Sequence, residues 1–143
     1  MPILNYTTSI STAKTAQEIT AILVQAGAVK IVMDIDGPSK EAVALTFAVA
    51  VGPENLLWWF TLPANWQGVQ KALVKSKVEQ RYRSEDQARR VAWRIIKSWC
   101  EAQLAIIEAG QASLAEVFLP YAQTDSGQTL YQVLAAGKVN LLR

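Results

Sequence analysis

The first half of the chain alternates apolar and polar residues in the way that strands do. Around Phe47 every second residue is large and apolar, and the residues between are mostly alanine, which predicts a strand with one buried face. The strands next to it are predicted from apolar runs that are rich in β-branched or aromatic residues. Turn signals such as Asp36-Gly37 separate these runs. The strands predicted in this way cover residues 3–9, 29–35, 41–51 and 56–62.

Capping signals and helical spacing predict the remaining elements. Thr15-Ala-Gln-Glu18 is a capping-box pattern, and Ser84-Glu-Asp-Gln87 is a second cap whose acidic residues favour a helix N-terminus. The helix that Ser84 opens should be long and end near residue 109. Its expected core stripe is Ala88, Val91, Ala92, Ile95, Trp99, Ala102 and Ile106. The other predicted helices cover about residues 15–26, 66–76, 113–119 and 130–136, and residues 77–83 are a connection or a short edge strand.

This order of elements predicts an α+β fold. The expected architecture is a four-stranded, mostly antiparallel sheet in the order strand-helix-strand-strand-strand, followed by a helical C-terminal half whose long helix packs on one face. The 143 residues, 15.7 kDa, match the size of one compact domain, and no linker divides them. We therefore expect a single domain over residues 1–143.

The composition removes most catalytic chemistries. The chain has no histidine, which excludes Ser-His-Asp and Cys-His nucleophile systems and histidine metal sites. The one cysteine, Cys100, cannot form an internal disulfide, and we expect it to be buried and inert. We expect a protein that is not an enzyme and that uses no cofactor and no metal.

Asp34-Ile-Asp36-Gly37 resembles the first motif of haloacid-dehalogenase-type phosphatases. In that family one aspartate is the nucleophile and the next one the acid–base group, and a helix follows the loop. Here the loop leads into a predicted strand, and the only later aspartates are Asp86 and Asp125. We therefore interpret Asp36-Gly37 as the apex of a hairpin.

Targeting and membrane signals are missing from the pattern. The first residues lack a basic region followed by an apolar run, and no uncharged stretch reaches the roughly 20 apolar residues that span a bilayer. We expect a cytoplasmic protein without membrane contact, in the host cytoplasm if a phage encodes it.

The positive charge is local. Between Lys71 and Lys97 lie nine basic and three acidic residues, whereas the chain as a whole has a net charge of only +2. On the long helix Arg90, Arg94 and Lys97 share one side, and the indole of Trp93 lies beside them. Cations next to an aromatic ring suit a phosphate backbone or a nucleotide. An ordinary solvated helix face, with Trp93 buried against a neighbouring element, is the alternative.

Trp58-Trp59-Phe60 adds a second aromatic candidate. Neighbouring strand residues point to opposite faces, so Trp59 lies opposite Trp58 and Phe60. Beside small alanines it would form a stacking platform, unless helices cover both faces. The candidate ligand-binding residues are Lys77, Arg81, Tyr82, Arg83, Arg89, Arg90, Trp93, Arg94, Lys97 and Trp59.

Much of the sequence is similar to uncharacterised small proteins of phage and prophage genomes. The resemblance implies a phage accessory protein, a class that serves DNA replication or recombination or disarms host defence. It carries no catalytic residues. The residues that show it are Tyr82-Arg83, Gln87-Ala88, 90–97, Trp99, 101–104, 116–121, 129–131, 5–8 and 62–65.

These observations leave three functional hypotheses. The first is a non-catalytic protein that binds an anionic nucleotide-type ligand, nucleic acid first, through the basic and aromatic helix face. The second is an anti-defence sponge that sequesters a host nucleotide messenger in a pocket, and the third is an inhibitor or assembly module that binds another protein. An open basic stripe would favour nucleic acid as the ligand, and a pocket would favour a small nucleotide. The low charged fraction, 18%, also predicts a homo-oligomer, most simply a dimer.

Overall fold

Three antiparallel strands in the order β1-β2-β3 form the sheet of the computed structural model, which describes residues 1–137 and 139–143. In register, Phe47 of the central strand lies opposite Ile31 on one side and Phe60 on the other. The first hairpin turns at Asp36-Gly37, as predicted, and the Asp36 carboxylate accepts hydrogen bonds from the backbone and side chain of Ser39. The strands are β1 (Lys30–Ile35), β2 (Ala42–Val51) and β3 (Leu56–Pro63).

Five helices follow or precede the strands. The longest, α3, begins after Ser84, whose hydroxyl accepts a hydrogen bond from the amide of Gln87, so this predicted cap is confirmed. The helices are α1 (Thr12–Ala26), α2 (Trp66–Lys75), α3 (Glu85–Glu108), α4 (Leu114–Val117) and α5 (Leu130–Ala135), with single 3-10 turns at Gln80–Tyr82 and Leu119–Tyr121. Together they confirm the α+β class. None of the helices in the described residues is long and apolar enough to cross a membrane.

The core lies between one face of the sheet and the helices. Leu45 and Phe47 of β2 are fully buried there with Phe60 and Leu62 of β3. The rings of Phe47 and Phe60 stack at 5.1 Å between centroids, and Phe118 meets Phe47 edge-on at 5.5 Å. These aromatic contacts join the sheet to the C-terminal helices.

The free edge of β3 is covered by the chain itself. Phe60 forms an antiparallel bridge with Ala122, and the amide of Gln123 donates to the carbonyl of Trp59 at 2.7 Å. The side chain of Gln123 also donates to the hydroxyl of Thr61. The segment that follows α4 therefore covers the middle of the β3 edge, around Trp59 and Phe60.

The prediction of a four-stranded sheet is wrong, because residues 3–9 form no strand. Asn5 adopts a left-handed conformation with φ 64°, which breaks an extended run, and a turn forms there. The carbonyls of Tyr6 and Thr8 accept hydrogen bonds from the side chain of Gln87, at 2.8 and 2.9 Å, in place of a sheet ladder. The segment packs instead on a second small core that contains Leu73.

Two details of the helices also differ from the sequence prediction. Helix α1 begins three residues before the predicted capping box, because Ser11 is the N-cap and accepts from the amide of Lys14, while Thr15 is buried inside the helix. The buried stripe of α3 runs through Trp93 as well as Val91, whereas the predicted member Ala102 is exposed. Trp93 is thus a core residue.

The aromatic contact between sheet and helices predicts a large stability difference between two adjacent positions. Phe118→Ala removes a fully buried ring that touches Phe47 and Trp99, so we expect a loss of about 3–5 kcal/mol in the free energy of unfolding. Leu119→Ala, at an exposed position next in the chain, is the control and should cost less than about 1 kcal/mol. Urea unfolding measures both, and equal losses would contradict this account of the core.

Candidate functional site

Two of the three cations in the predicted basic stripe of α3, Arg94 and Lys97, are paired with carboxylates at the contact with α1. Arg94 donates from Nη1 to Glu18 Oε2 at 2.9 Å and lies 3.3 Å from the hydroxyl of Thr15. The Lys97 ammonium lies 3.5 Å from the same carboxylate and 2.5 Å from Glu101. The two basic side chains are only 14% and 19% exposed. Arg94 and Lys97 are therefore part of a helix–helix contact rather than an open stripe.

Trp93 is not accessible to a ligand. Its side chain is fully buried, and its indole N–H donates to the carbonyl of Ala42 at 3.2 Å. A base could stack on this ring only if the core opened. Trp93 is buried against a neighbouring element, as the alternative interpretation of the sequence predicts.

The upstream candidates lie on the connection between α2 and α3. Lys77 and Arg81 are exposed, and Arg81 lies 3.0 Å from Glu79 and 4.7 Å from the ring centre of Tyr82. Arg83 is half-buried, and its Nε donates to a backbone carbonyl at 2.6 Å. This group keeps exposed cations but is separate from Arg94 and Lys97.

Arg89 is the unusual member of the set, because it is a buried cation. It is 7% exposed, and its Nε and Nη1 atoms make no hydrogen bond in the described structure. Its charge has two neighbours, the Glu85 carboxylate 3.5 Å from Nε and the Trp66 ring, whose centre lies 4.8 Å from the guanidinium carbon. A buried guanidinium that lacks hydrogen bonds is costly, so an anion nearby would stabilise this charge. The Nε and Nη1 atoms are themselves enclosed by protein, so such an anion would act on them through the electric field and not by a direct hydrogen bond.

Arg89 lines a polar cleft of about 230 Å³ at the N-terminus of α1. Ser11 and Thr12 form the wall at the helix end, where the first amides have no partner within the helix. The first turn of this 15-residue helix contains no acidic side chain, so its positive end is not compensated within the helix. Arg90 closes the cleft beside Arg89. Two guanidinium groups and a helix N-terminus therefore converge there.

Gln87 holds Arg90 in position. Its side-chain oxygen accepts from Nε and Nη2 of Arg90, at 3.1 and 2.7 Å. The amide nitrogen of the same side chain donates to the carbonyls of Tyr6 and Thr8, and Gln87 is buried. One amide thus fixes both the arginine and the segment that leads to Ser11.

The cleft also has an acidic side. Glu41 and Asp86 line it, and the Asp36 carboxylate lies within the field of Arg89. Hydrogen bonds from Ser39 lower the pKa of Asp36, and Arg89 lowers it further. Carboxylates accept hydrogen bonds from hydroxyl and amine groups. The arrangement suits a ligand that carries an anionic group together with such donors.

Trp59 lies on the other side of the molecule, on the outer face of the sheet. It is half-buried and stands in register with Ala48, which is fully buried. A polar chain crosses the same face, since Thr46 donates to Asp34 at 3.3 Å and shares a hydrogen bond of 3.0 Å with Thr61. Trp59 therefore cannot act together with Arg89 and Arg90 on one small ligand.

Both arginines of the cleft, Arg89 and Arg90, are among the candidates predicted from the sequence, whereas Ser11 and Thr12 at the N-terminus of α1 are not. The Ser11-Thr12 pair precedes the predicted capping box and was available as an alternative helix start. No sequence signal shows that Gln87 binds backbone atoms about 80 residues away.

Comparison with known proteins returned no match at a significant level, whether with protein-family models, curated proteins or solved structures.

The contact between α1 and α3 predicts a shifted titration. The hydrogen bond from Arg94 holds the pKa of Glu18 below its ordinary value of 4.5, with a smaller contribution from Lys97. Arg94→Gln should return this pKa toward the ordinary value, whereas Arg90→Gln should leave it unchanged. NMR of the carboxyl carbons measures both variants.

The sign of the stability effect follows from that shift. A carboxyl whose pKa is depressed by folding stabilises the protein above its unfolded pKa, and the contribution is lost as the pH falls through the folded pKa. The stability difference between wild type and Arg94→Gln should therefore shrink below about pH 4.5. A difference that grows on acidification would contradict the assigned pair.

Proposed function

We propose that the protein is a non-catalytic binding protein for a small anionic, nucleotide-type ligand, whose phosphate is held in the cleft between Arg89, Arg90 and the N-terminus of α1. The observation that supports it most is the position of Arg89, a buried cation without hydrogen bonds at Nε and Nη1, in the lining of the cleft beside Arg90 and the first residues of α1. A phosphate offers charged acceptors to such a group and to helix amides at the same time.

The size and the mixed charge of the cleft support a nucleotide rather than an inorganic ion alone. Sites for whole ligands usually measure about 300–1,000 Å³, so a cleft of 230 Å³ suits a phosphate with its sugar and leaves the base outside. Glu41, from the β1–β2 hairpin, and Asp86, from the first turn of α3, would accept hydrogen bonds from the ribose hydroxyls.

Within this proposal the role is sequestration rather than chemistry. The chain has no histidine to act as a general base, and the phage accessory class implied by the sequence resemblance includes proteins that disarm host defence. A sponge for a host nucleotide messenger, acting in the host cytoplasm, fits a small cleft better than a coat for a long polymer, because Arg94 and Lys97 are already paired with Glu18.

The cleft predicts different effects for two arginines one helical turn apart. Arg90→Gln removes a cation from the cleft, so ribonucleoside 5′-monophosphates should bind roughly tenfold or more weakly, the loss of one charge-assisted hydrogen bond at about 1.5–3 kcal/mol. Arg94→Gln, whose native partner is Glu18, is the matched control and should leave the affinity unchanged. Isothermal titration calorimetry with each monophosphate and with inorganic phosphate measures this.

The same titrations can overturn the proposal. Absence of binding by all four monophosphates and by phosphate, or an equal loss in the two variants, would remove the cleft as the ligand site.

A nucleic-acid site is a second candidate, favoured by a different surface. Lys71, Lys75 and Lys77 are exposed and have no ion pair or hydrogen bond in the part of the chain that the structure describes, and Trp66 lies on the same helix as the first two. Lys71 and Lys75 line one shallow surface with Trp66, one side of whose ring is covered by Arg89, and cations beside an aromatic ring suit a single strand.

That second candidate predicts a salt-dependent loss. Lys71→Ala together with Lys75→Ala should reduce the slope of log affinity against log salt for a single-stranded oligonucleotide by about 1.4, two phosphate contacts at about 0.7 each. Filter binding over a salt series measures the slope, with Arg90→Gln as the control. If wild type binds no oligonucleotide at low salt, the polymer hypothesis is wrong.

We also propose that the chain is a homodimer. Exposed apolar side chains cluster at two places, the β1 strand and the start of β3, and such surface favours association. The residues at the first place are Val29, just before β1, with Val32 and Ile35 of β1. Those at the second place are Leu56, Leu57 and Trp58 of β3.

A further inference from the structure

The five residues Lys30-Ile-Val-Met-Asp34 at the centre of β1 form a pattern that complements itself when the strand is reversed. We propose that two copies of the chain pair antiparallel through β1, about a two-fold axis at Val32, and form one continuous six-stranded sheet. The proposal deepens the proposed homodimer by naming its interface. It places Lys30 of each copy opposite Asp34 of the other.

The backbone of β1 is open to such a partner. β1 lies at the end of the sheet and pairs only with β2 among residues 1–137 and 139–143. An edge strand presents unpaired N–H and C=O groups, and soluble proteins usually protect it with proline, a bulge or a covering segment. β1 contains no proline, and its exposed residues include Val32 at 44%. The one irregular step in its pairing with β2 lies toward its C-terminal end, between Asp34 and Ile35, where the extra residue is Val43 of β2.

The charges select one register. Lys30 and Asp34 are both exposed and, being four residues apart in a strand, lie on the same face. Lys30 has no ion pair in the described structure, and Asp34 accepts a single hydrogen bond of 3.3 Å from Thr46. Centred on Val32, both charges meet their opposites, and opposite charges directly across strands stabilise a sheet.

The neighbouring registers are disfavoured. An axis at Ile31 loses both ion pairs, and an axis at Lys30 or Asp34 sets like charges against each other. An axis at Met33 leaves Asp34 opposite Val32 and sets Lys30 opposite Asp36, which lies beyond the end of β1 and is already hydrogen-bonded to Ser39. A register shift of one residue, which sets Ile31 opposite Val32, would also place the apolar faces of the two copies on opposite sides of the sheet.

The inner face adds apolar contact. Ile31 and Met33 are only half-buried, and in the proposed register each lies opposite the other of the second copy. Between α1 and β1 runs a groove of about 390 Å³, mostly apolar, to which Met33 and Ile35 contribute. The second copy would cover this groove, which shares Thr12 with the cleft beside Arg89.

The two-fold axis makes Val32→Cys a direct test. Residues directly opposite in an antiparallel pair have Cα atoms about 4.5–5.5 Å apart, which is within reach of a disulfide. Mild oxidation should therefore convert the variant to a covalent dimer of twice 15.7 kDa. The native Cys100 does not compete, because burial raises its pKa to about 12. Val74→Cys, at an equally exposed valine on α2, is the control and should remain uncrosslinked.

Charge exchange tests the register separately. Asp34→Lys should weaken dimerisation roughly tenfold, because it replaces two opposite-charge pairs by two like-charge pairs, and adding Lys30→Asp to it should restore the dimer. Light scattering over a concentration series measures the mass, and Lys75→Asp is the control.

Two results would overturn the proposal in distinguishable ways. A wild-type dimer whose Val32→Cys variant crosslinks no better than Val74→Cys forms through another surface. A particle of 15.7 kDa at all micromolar concentrations means that the proposed dimer itself is wrong. Neither result bears on nucleotide binding by the cleft, which is measured independently.

Discussion

The rotation of α3 about its own axis determines where most of the functional candidates lie. It is fixed by Trp93, whose indole is fully buried and hydrogen-bonded to the carbonyl of Ala42 on the central strand. With that ring in the core, Arg89 one turn earlier is drawn under the surface as well, and Arg94 is directed to α1. Arg90, between them, is left at the margin of the cleft. One aromatic contact thus divides a run of basic residues into a structural pair and a potential ligand site.

The sequence predicts those elements whose determinants lie within a few residues of each other. It does not predict those that depend on contacts between distant parts of the chain. The three hairpin-connected strands and the cap at Ser84 depend on alternation and on residues a few positions apart, and all were predicted. The segment 3–9 alternates too, yet the side chain of Gln87 takes its carbonyls and prevents a strand. No local pattern contains that information.

The candidate site shows the same limit in a sharper form. Its cations were predictable from charge density alone, but their separation into paired and unpaired groups depends on the carboxylate of Glu18, which lies on another helix. The position of Trp93 required a choice between two adjacent helix faces, both rich in apolar residues. Amphipathic periodicity resolves such a choice poorly when aromatic residues occur on both faces. Glu41 reaches the cleft from the β1–β2 hairpin and could be placed there only by the tertiary structure.

The two edges of the sheet are unequal, and this inequality limits how far any edge-to-edge association can extend. Residues 122–123 of the same chain occupy the middle of the β3 edge, so a neighbour could not form an uninterrupted ladder along it. A sheet that is open on both sides can add strands without end, whereas one that is open on a single side is complete after one two-fold contact. The segment after α4 therefore makes the β3 edge a poorer template for a further strand than the β1 edge, which disfavours open-ended addition of strands.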